Sequence, residues 1–396
     1  MTPILSKTIR SAQDLGVNGA QPSFTEPIHV GRPNVGERSA LLAHMEQILD
    51  RRWLTNNGPL VQELETRIAE LHGVHHCVAM CNGTIALEIA IRAVGLKDEV
   101  IVPSFTFIAT AHALSWQAIT PVFADVDPRT HNLDARAVER MITPRTTGII
   151  GVHLWGRPAP ADALQDIADR HGLTLMFDAA HAFSCSAGGR SIGEFGCCQV
   201  LSFHATKIFN TFEGGAVITN DDELAAKMRL MRNFGFSGYD NVIHPGTNGK
   251  MPEMNAAMGL VNLEALPGFV EANRAHYHRY VEALGAIEGV SLIRYDERDS
   301  PNYQYVVIEI DPSFRASRDE VVAALQAENI LARKYFWPGC HRMQPYPELY
   351  PHAGMLLPES ERLSGRVVVL PTGSTLPQGC VETVASVLRV LAGACT

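Results

Sequence analysis

Apolar residues recur at helical spacing over residues 36–50 (Leu41, Leu42, Met45, Ile48, Leu49) and again after Pro59 (Leu60, Leu64, Ile68, Leu71). Two helices are therefore expected ahead of any strand. From His76 onward, short apolar runs are separated by helical stretches. The pattern predicts strands at His76–Met80, Glu99–Pro103, 120–125, 148–154, 173–177, 199–203 and 216–219, with helices over 84–94, 109–117 and 161–170. Such alternation implies an α/β chain built on a mostly parallel seven-stranded sheet covered on both faces. Past residue 266 the character changes. A helix over 269–284, a strand over 303–310, a helix over 318–328 and a last helix over 381–391 predict a smaller C-terminal α+β domain. The expected division is a large domain over 31–265 and a small one over 266–396. Residues 1–30 are polar without a sustained period, and are expected to form a loose N-terminal arm.

Composition narrows the picture. The chain has 396 residues, 46% hydrophobic, enough for one large core and a second smaller one. No run reaches the roughly 18–20 apolar residues of a membrane span. The N-terminus carries no basic segment followed by a long apolar run, so a cytoplasmic protein is expected. A net charge of −9 argues against nucleic acid as a partner. None of the eight cysteines forms a C-x-x-C pair, so reduced core thiols are expected and no metal centre is implied. Cys340 stands apart, in a Pro/Gly-rich loop.

In open parallel sheets ligands bind past the carboxyl ends of strands. Asp178 ends the apolar run Leu173-Thr174-Leu175-Met176-Phe177. A carboxylate there is costly to desolvate unless it meets a cation, although a helix cap or a salt-bridged structural Asp fits the position equally well. Lys207 is one of only six lysines and is followed by Ile208 and Phe209. Burial lowers an amine's pKa and makes it a nucleophile toward carbonyls, whereas alone it reads as a snorkelling lysine. The pair suits pyridoxal 5'-phosphate (PLP), which needs a lysine for its Schiff base and a carboxylate beside its ring nitrogen. Cys81-Asn82-Gly83-Thr84 lies between a strand and a helix, where N–H groups face an anion, and Ser202 adds a hydroxyl. Phe107 follows another strand end, where it is placed to stack on a planar ring, and His181 lies close after Asp178.

These residues resemble the fold-type I PLP enzymes of the DegT/DnrJ/EryC1/StrS nucleotide-sugar aminotransferase family. The resemblance rests on Phe177-Asp178-Ala179-Ala180-His181-Ala182, Ser202-Phe203-His204-Ala205-Thr206-Lys207, Phe212-Glu213-Gly214-Gly215-Ala216-Val217, His153 to Pro158 and Met251 to Gly259. It implies Lys207 as the Schiff-base lysine and proton shuttle, with pyridoxamine phosphate formed during turnover. It also implies Asp178 on the pyridine nitrogen, Gly83, Thr84 and Ser202 on the phosphate, Phe107 over the ring and His181 at the ring hydroxyl. Asn248 resembles an asparagine that reaches the phosphate from a neighbouring subunit, so a homodimer with shared active sites is expected. Many members carry Gln at the position of His181 and Arg at that of Lys250.

Within the family the wording is most similar to aminotransferases acting at C4 of dTDP-4-keto-6-deoxy-D-glucose with L-glutamate as donor, as in desosamine biosynthesis. His204-Ala205-Thr206-Lys207 stands where C3 enzymes typically show Tyr-Pro-Thr-Lys. The C-terminal loop residues Tyr335, His341 and Gln344, with Tyr303, are candidates for holding the nucleotide diphosphate. A sugar 3-dehydratase of this fold would have His in place of Lys207. A PLP-binding sensor would carry a DNA-binding module, and a nicotinamide oxidoreductase a Gly-x-Gly-x-x-Gly after the first strand. None of these is present.

Overall fold

The computed structural model describes residues 7–393. Its central sheet runs, edge to edge, His76–Met80, Gly215–Thr219, Gln199–Ser202, Thr174–Asp178, Thr146–Val152, Glu99–Pro103, Thr120–Ala124. Only Gly215–Thr219 runs against its neighbours. Successive side chains of a strand point to opposite faces. Leu175 and Phe177 accordingly enter one core with Ile101, Leu201 and Ile218, while Met176 enters the other with Val102, Val200 and Val217. Both faces are covered, which is why the strands read as continuous apolar runs.

The C-terminal core packs the antiparallel strands Val290–Leu292, Val306–Ile310 and Val367–Leu370 against the helices Arg318–Ala327 and Cys380–Ala392. Two expectations need correction here. The N-terminal arm is not loose: Ile9, Leu15, Phe24 and Ile28 are buried in this same core, and Ile28–His29 pairs in parallel with Ile330–Leu331. Glu328 pins it, accepting from the Lys7 ammonium at 2.9 Å, Gly16 N–H at 2.6 Å and Ser23 N–H at 2.7 Å. Burial pushes the Glu328 carboxyl up, but these donors outweigh it and hold its pKa below the ordinary value. The arm shows no period because each apolar anchor inserts singly, opposite partners some 300 positions away.

The expected boundary at 265/266 also falls inside one element. Glu253–Leu284 is a single helix of 32 residues that accommodates Pro267. Its first half buries Ala256, Ala257 and Leu260 in the large core, and its far end buries Tyr280 and Leu284 in the small one. Among the described residues no helix is long and apolar enough to cross a membrane. The seven cysteines among them are free, and Cys395 lies outside the described residues. Cys340 is buried with its thiol donating to the Thr106 carbonyl at 3.3 Å, and burial pushes its pKa up to about 12.

Candidate active site

Asp178 is the last residue of its strand and is buried. Its Oδ2 accepts from the Thr110 hydroxyl at 2.9 Å and its Oδ1 from the Ala180 N–H at 3.0 Å. Burial raises its pKa, and these two donors and Lys207 offset only part of that rise. Lys207 lies just past the strand Gln199–Ser202. Burial lowers its ammonium to about 8, against the opposing pull of Asp178. Its Nζ lies 3.5 Å from the Tyr305 hydroxyl, whose own pKa is raised by burial. Burial therefore favours the neutral amine, the form that attacks a carbonyl.

His181 is buried, and both burial and the Lys207 charge favour its neutral form. Nδ1 accepts from the Trp155 N–H at 3.3 Å, which assigns the ring proton to Nε2. The ring lies near-parallel to Trp155 and Phe336, with each centroid 6.0 Å away.

Gly83 opens the helix Gly83–Ala93. The Ile85 and Ala86 N–H groups go to Asn82 Oδ1 and Asn82 O, so those of Gly83 and Thr84 are the orphan donors of the helix start. A Cβ on Gly83 would lie 3.2 Å from Ser202 Oγ, which puts that hydroxyl at the same terminus. Gly215 pairs with Met80 on one side and Ser202 on the other, and a Cβ there would sit 2.6 Å from Gly83 N. Only glycine lets the sheet and the helix start approach this closely.

A cavity of about 490 Å³ adjoins the lysine, lined by His29, Gly31, Thr206, Gln304, Tyr305, Arg333 and Tyr335 among others. Tyr335, one of the candidates for the nucleotide diphosphate, lines this cavity. Tyr303 does not: it turns into an aromatic cluster with Tyr277 and Tyr295, at 5.3 and 5.0 Å, and Tyr305 faces the cavity instead. His341 is also corrected. It is buried, with Nδ1 2.5 Å from Ser104 Oγ and Nε2 2.8 Å from Glu361, so both ring nitrogens are engaged within the fold. Gln344 is exposed and outside the cavity. Phe107 is 55% exposed, edge-on to Phe336 at 6.5 Å. Asn248 is exposed on a loop tied to the cradle by the Cys81 N–H donating to the Gly249 carbonyl at 2.8 Å. Thr110, Trp155, Tyr305, Gln304 and Arg333 were missed. The only signal for Tyr305 and Gln304 was adjacency to Tyr303.

The donor set fits PLP: a partly neutral amine, a buried carboxylate for a cationic ring nitrogen, an imidazole N–H for a ring hydroxyl and orphan N–H groups for a phosphate. Fold and site together define a PLP-dependent aminotransferase. The chain matches the model of the DegT/DnrJ/EryC1/StrS aminotransferase family over residues 36–389, and belongs to that family. It is 37% identical to the dTDP-4-amino-4,6-dideoxy-D-glucose transaminase of Shigella dysenteriae, over 92% of this chain and 99% of that protein. It is also 37% identical to the GDP-perosamine synthase of Caulobacter vibrioides, over 76% of this chain and 83% of the relative. Among solved structures, DesI in the presence of its TDP-sugar product superposes with a TM-score of 0.92 at 48% identity, covering 97% of this chain and 98% of DesI.

Proposed function

We propose that the enzyme moves the amino group of L-glutamate to the C4 keto group of dTDP-4-keto-6-deoxy-D-glucose, giving dTDP-4-amino-4,6-dideoxy-D-glucose in a cytoplasmic deoxysugar pathway of the kind that serves antibiotics. The observation that carries the reading is the Lys207 amine, with a pKa of about 8, beside Tyr305 at the wall of a 490 Å³ cavity. The named relatives at 37% and 48% identity support the substrate class.

When bound, PLP supplies the electron sink for charge developing at the substrate carbon. The other roles belong to the chain. Asp178 keeps negative charge in a dry setting, where it counts for most. The Gly83 and Thr84 N–H groups and the Ser202 hydroxyl hold the phosphate. His181 Nε2–H serves the ring hydroxyl. Lys207 Nζ removes the α-proton of glutamate in one half-reaction and delivers a proton to the sugar carbon in the other, and the Tyr305 hydroxyl orients it. Phe107, exposed in this chain alone, would cover the ring of a bound PLP.

A second copy completes the site. Leu54, Phe212 and Met254 are all exposed, and they lie together: the Leu54 carbonyl accepts from Glu253 N–H and Asn255 donates to the Thr211 carbonyl. Such an apolar patch suits a symmetric interface that presents Asn248 to the partner's phosphate. The test is a reaction with dTDP-4-keto-6-deoxyglucose and glutamate, with the product assigned by NMR. Nitrogen at C4 is expected, and nitrogen at C3 would refute the assignment.

A further inference from the structure

The cavity beside Lys207 is lopsided in charge. The chain carries 42 acidic against 33 basic side chains, yet no carboxylate lines this cavity among the described residues. Its one permanently charged lining group is Arg333. The arginine's backbone is held from both directions, its N–H donating to Val369 O at 3.0 Å and its carbonyl accepting from Val369 N at 2.9 Å. Its guanidinium carbon lies 4.9 Å from the centroid of Tyr335, a second wall of the cavity. Neighbouring cations are paired: Lys334 and Arg318 both meet Asp319, at 2.7 and 2.6 Å. Arg333 meets no carboxylate among the described residues.

A second group points the same way. Gln304 is only 7% exposed and lines the same cavity, and its amide nitrogen makes no well-formed hydrogen bond among the described residues, with the Tyr305 hydroxyl as its polar neighbour. Buried donors without acceptors are rare in folded proteins. A buried amide donor and an exposed guanidinium without a carboxylate partner, both lining one cavity, make a receptor for oxygen acceptors, one of them charged.

We propose that Arg333 is the oxyanion anchor of the active site and Gln304 its neutral partner, together setting which substrates enter. The inference rests on the sugar-aminotransferase reading for its ligands. Both of those carry the required chemistry, glutamate as a carboxylate and the nucleotide sugar as a diphosphate. An anion held at Arg333 shares the cavity with the Tyr305 hydroxyl and therefore lies close to the lysine that acts on the rest of the molecule.

The test uses the holoenzyme and the variants Arg333→Gln, Arg333→Lys and Gln304→Leu. Three quantities are measured: dTDP affinity by calorimetry, the glutamate half-reaction, and the half-reaction of the dTDP-amino sugar, the last two followed by the cofactor's absorbance. Loss of a charged hydrogen bond corresponds to roughly tenfold to a hundredfold weaker binding. If the anchored group is the diphosphate, Arg333→Gln weakens dTDP and the sugar arm by that factor and spares the glutamate arm. If it is the carboxylate, the glutamate arm alone weakens. In either case Arg333→Lys recovers part of the loss, Gln304→Leu weakens the same arm, and the cofactor band keeps its position. The proposal is overturned if dTDP affinity and both half-reactions stay within about twofold of wild type, or if both arms fall together with the cofactor band. Calorimetry with dTDP needs no turnover, so an inert wild-type protein would sink the functional reading while the Arg333 comparison still gives an answer.

Discussion

Thr110→Val removes one oxygen and leaves a side chain of nearly the same shape. Thr110 is fully buried and its hydroxyl donates to Asp178 Oδ2 at 2.9 Å. Asp178 then retains the Ala180 N–H at 3.0 Å and the field of Lys207 against a burial penalty that already raises its pKa. A hydrogen bond to a charged group is worth about 1.5–3 kcal/mol. Losing that donor leaves burial less opposed, so the Asp178 pKa should rise further. A carboxylate that protonates more easily holds a cationic ring nitrogen less well. PLP affinity, titrated by the absorbance near ~420 nm expected of the bound cofactor, should fall about tenfold. Because Asp178 must be ionised to act, the acid limb of kcat should move to higher pH. Thr110→Ser, which keeps the hydroxyl, should restore both. If Thr110→Val leaves PLP affinity and the acid limb unchanged, the Thr110–Asp178 contact is not what keeps this carboxylate charged.

Other measurements address the remaining parts of the site and the core. Lys207→Ala should abolish the band near ~420 nm, and in wild-type apoenzyme the rate of PLP capture, read by stopped-flow absorbance, should rise as pH climbs through about 8, where the amine loses its proton. Gly215→Ala puts a methyl group 2.6 Å from Gly83 N, a backbone atom, so the helix start must shift; PLP affinity should fall tenfold or more, whereas Ser202→Ala, which deletes one neutral donor, should cost about 1 kcal/mol by the same titration. His72 and His153 are buried with pKa values lowered by burial to about 4. Each stays neutral in the fold while the unfolded chain binds its proton near 6.5, so the stability each supports is present above 6.5 and is lost as pH falls toward 4, by about 2 kcal/mol at pH 5. Both His72 nitrogens lack partners among the described residues; His72→Leu should flatten part of the drop in melting temperature between pH 7 and pH 5.

The sheet was legible because its strands are buried on both faces. Glu99–Pro103 and His76–Met80 appear with the bounds read from periodicity, and Thr174–Asp178 is displaced by one residue. Lys207 and Asp178 were legible because a lysine and an aspartate are out of place among Ile208, Phe209 and Phe177. The N-terminal arm was not, because Ile9, Leu15, Phe24 and Ile28 have no local rhythm and take their meaning from Glu328 and Ile330. The single helix Glu253–Leu284 was read only in its later part, since Ala256 to Leu263 are buried consecutively on every side and show no amphipathic period, whereas Phe269, Asn273, Tyr277, Tyr280 and Leu284 form one stripe.

What the sequence determined by itself is therefore local: the strand–helix alternation, the strand ends where chemistry collects, and the residue types that handle a carbonyl, a ring nitrogen and a phosphate. Tertiary structure alone decided which of several similar side chains reach the cavity. It chose Tyr305 over Tyr303, seated His341 between Ser104 and Glu361, and brought Gln304 and Arg333 to one cavity. The physical reason is that side-chain direction depends on how a segment packs. Tyr303 has a positive φ of 51° just before its strand and turns into the Tyr277–Tyr295 cluster, whereas Tyr305, two residues on, faces the lysine.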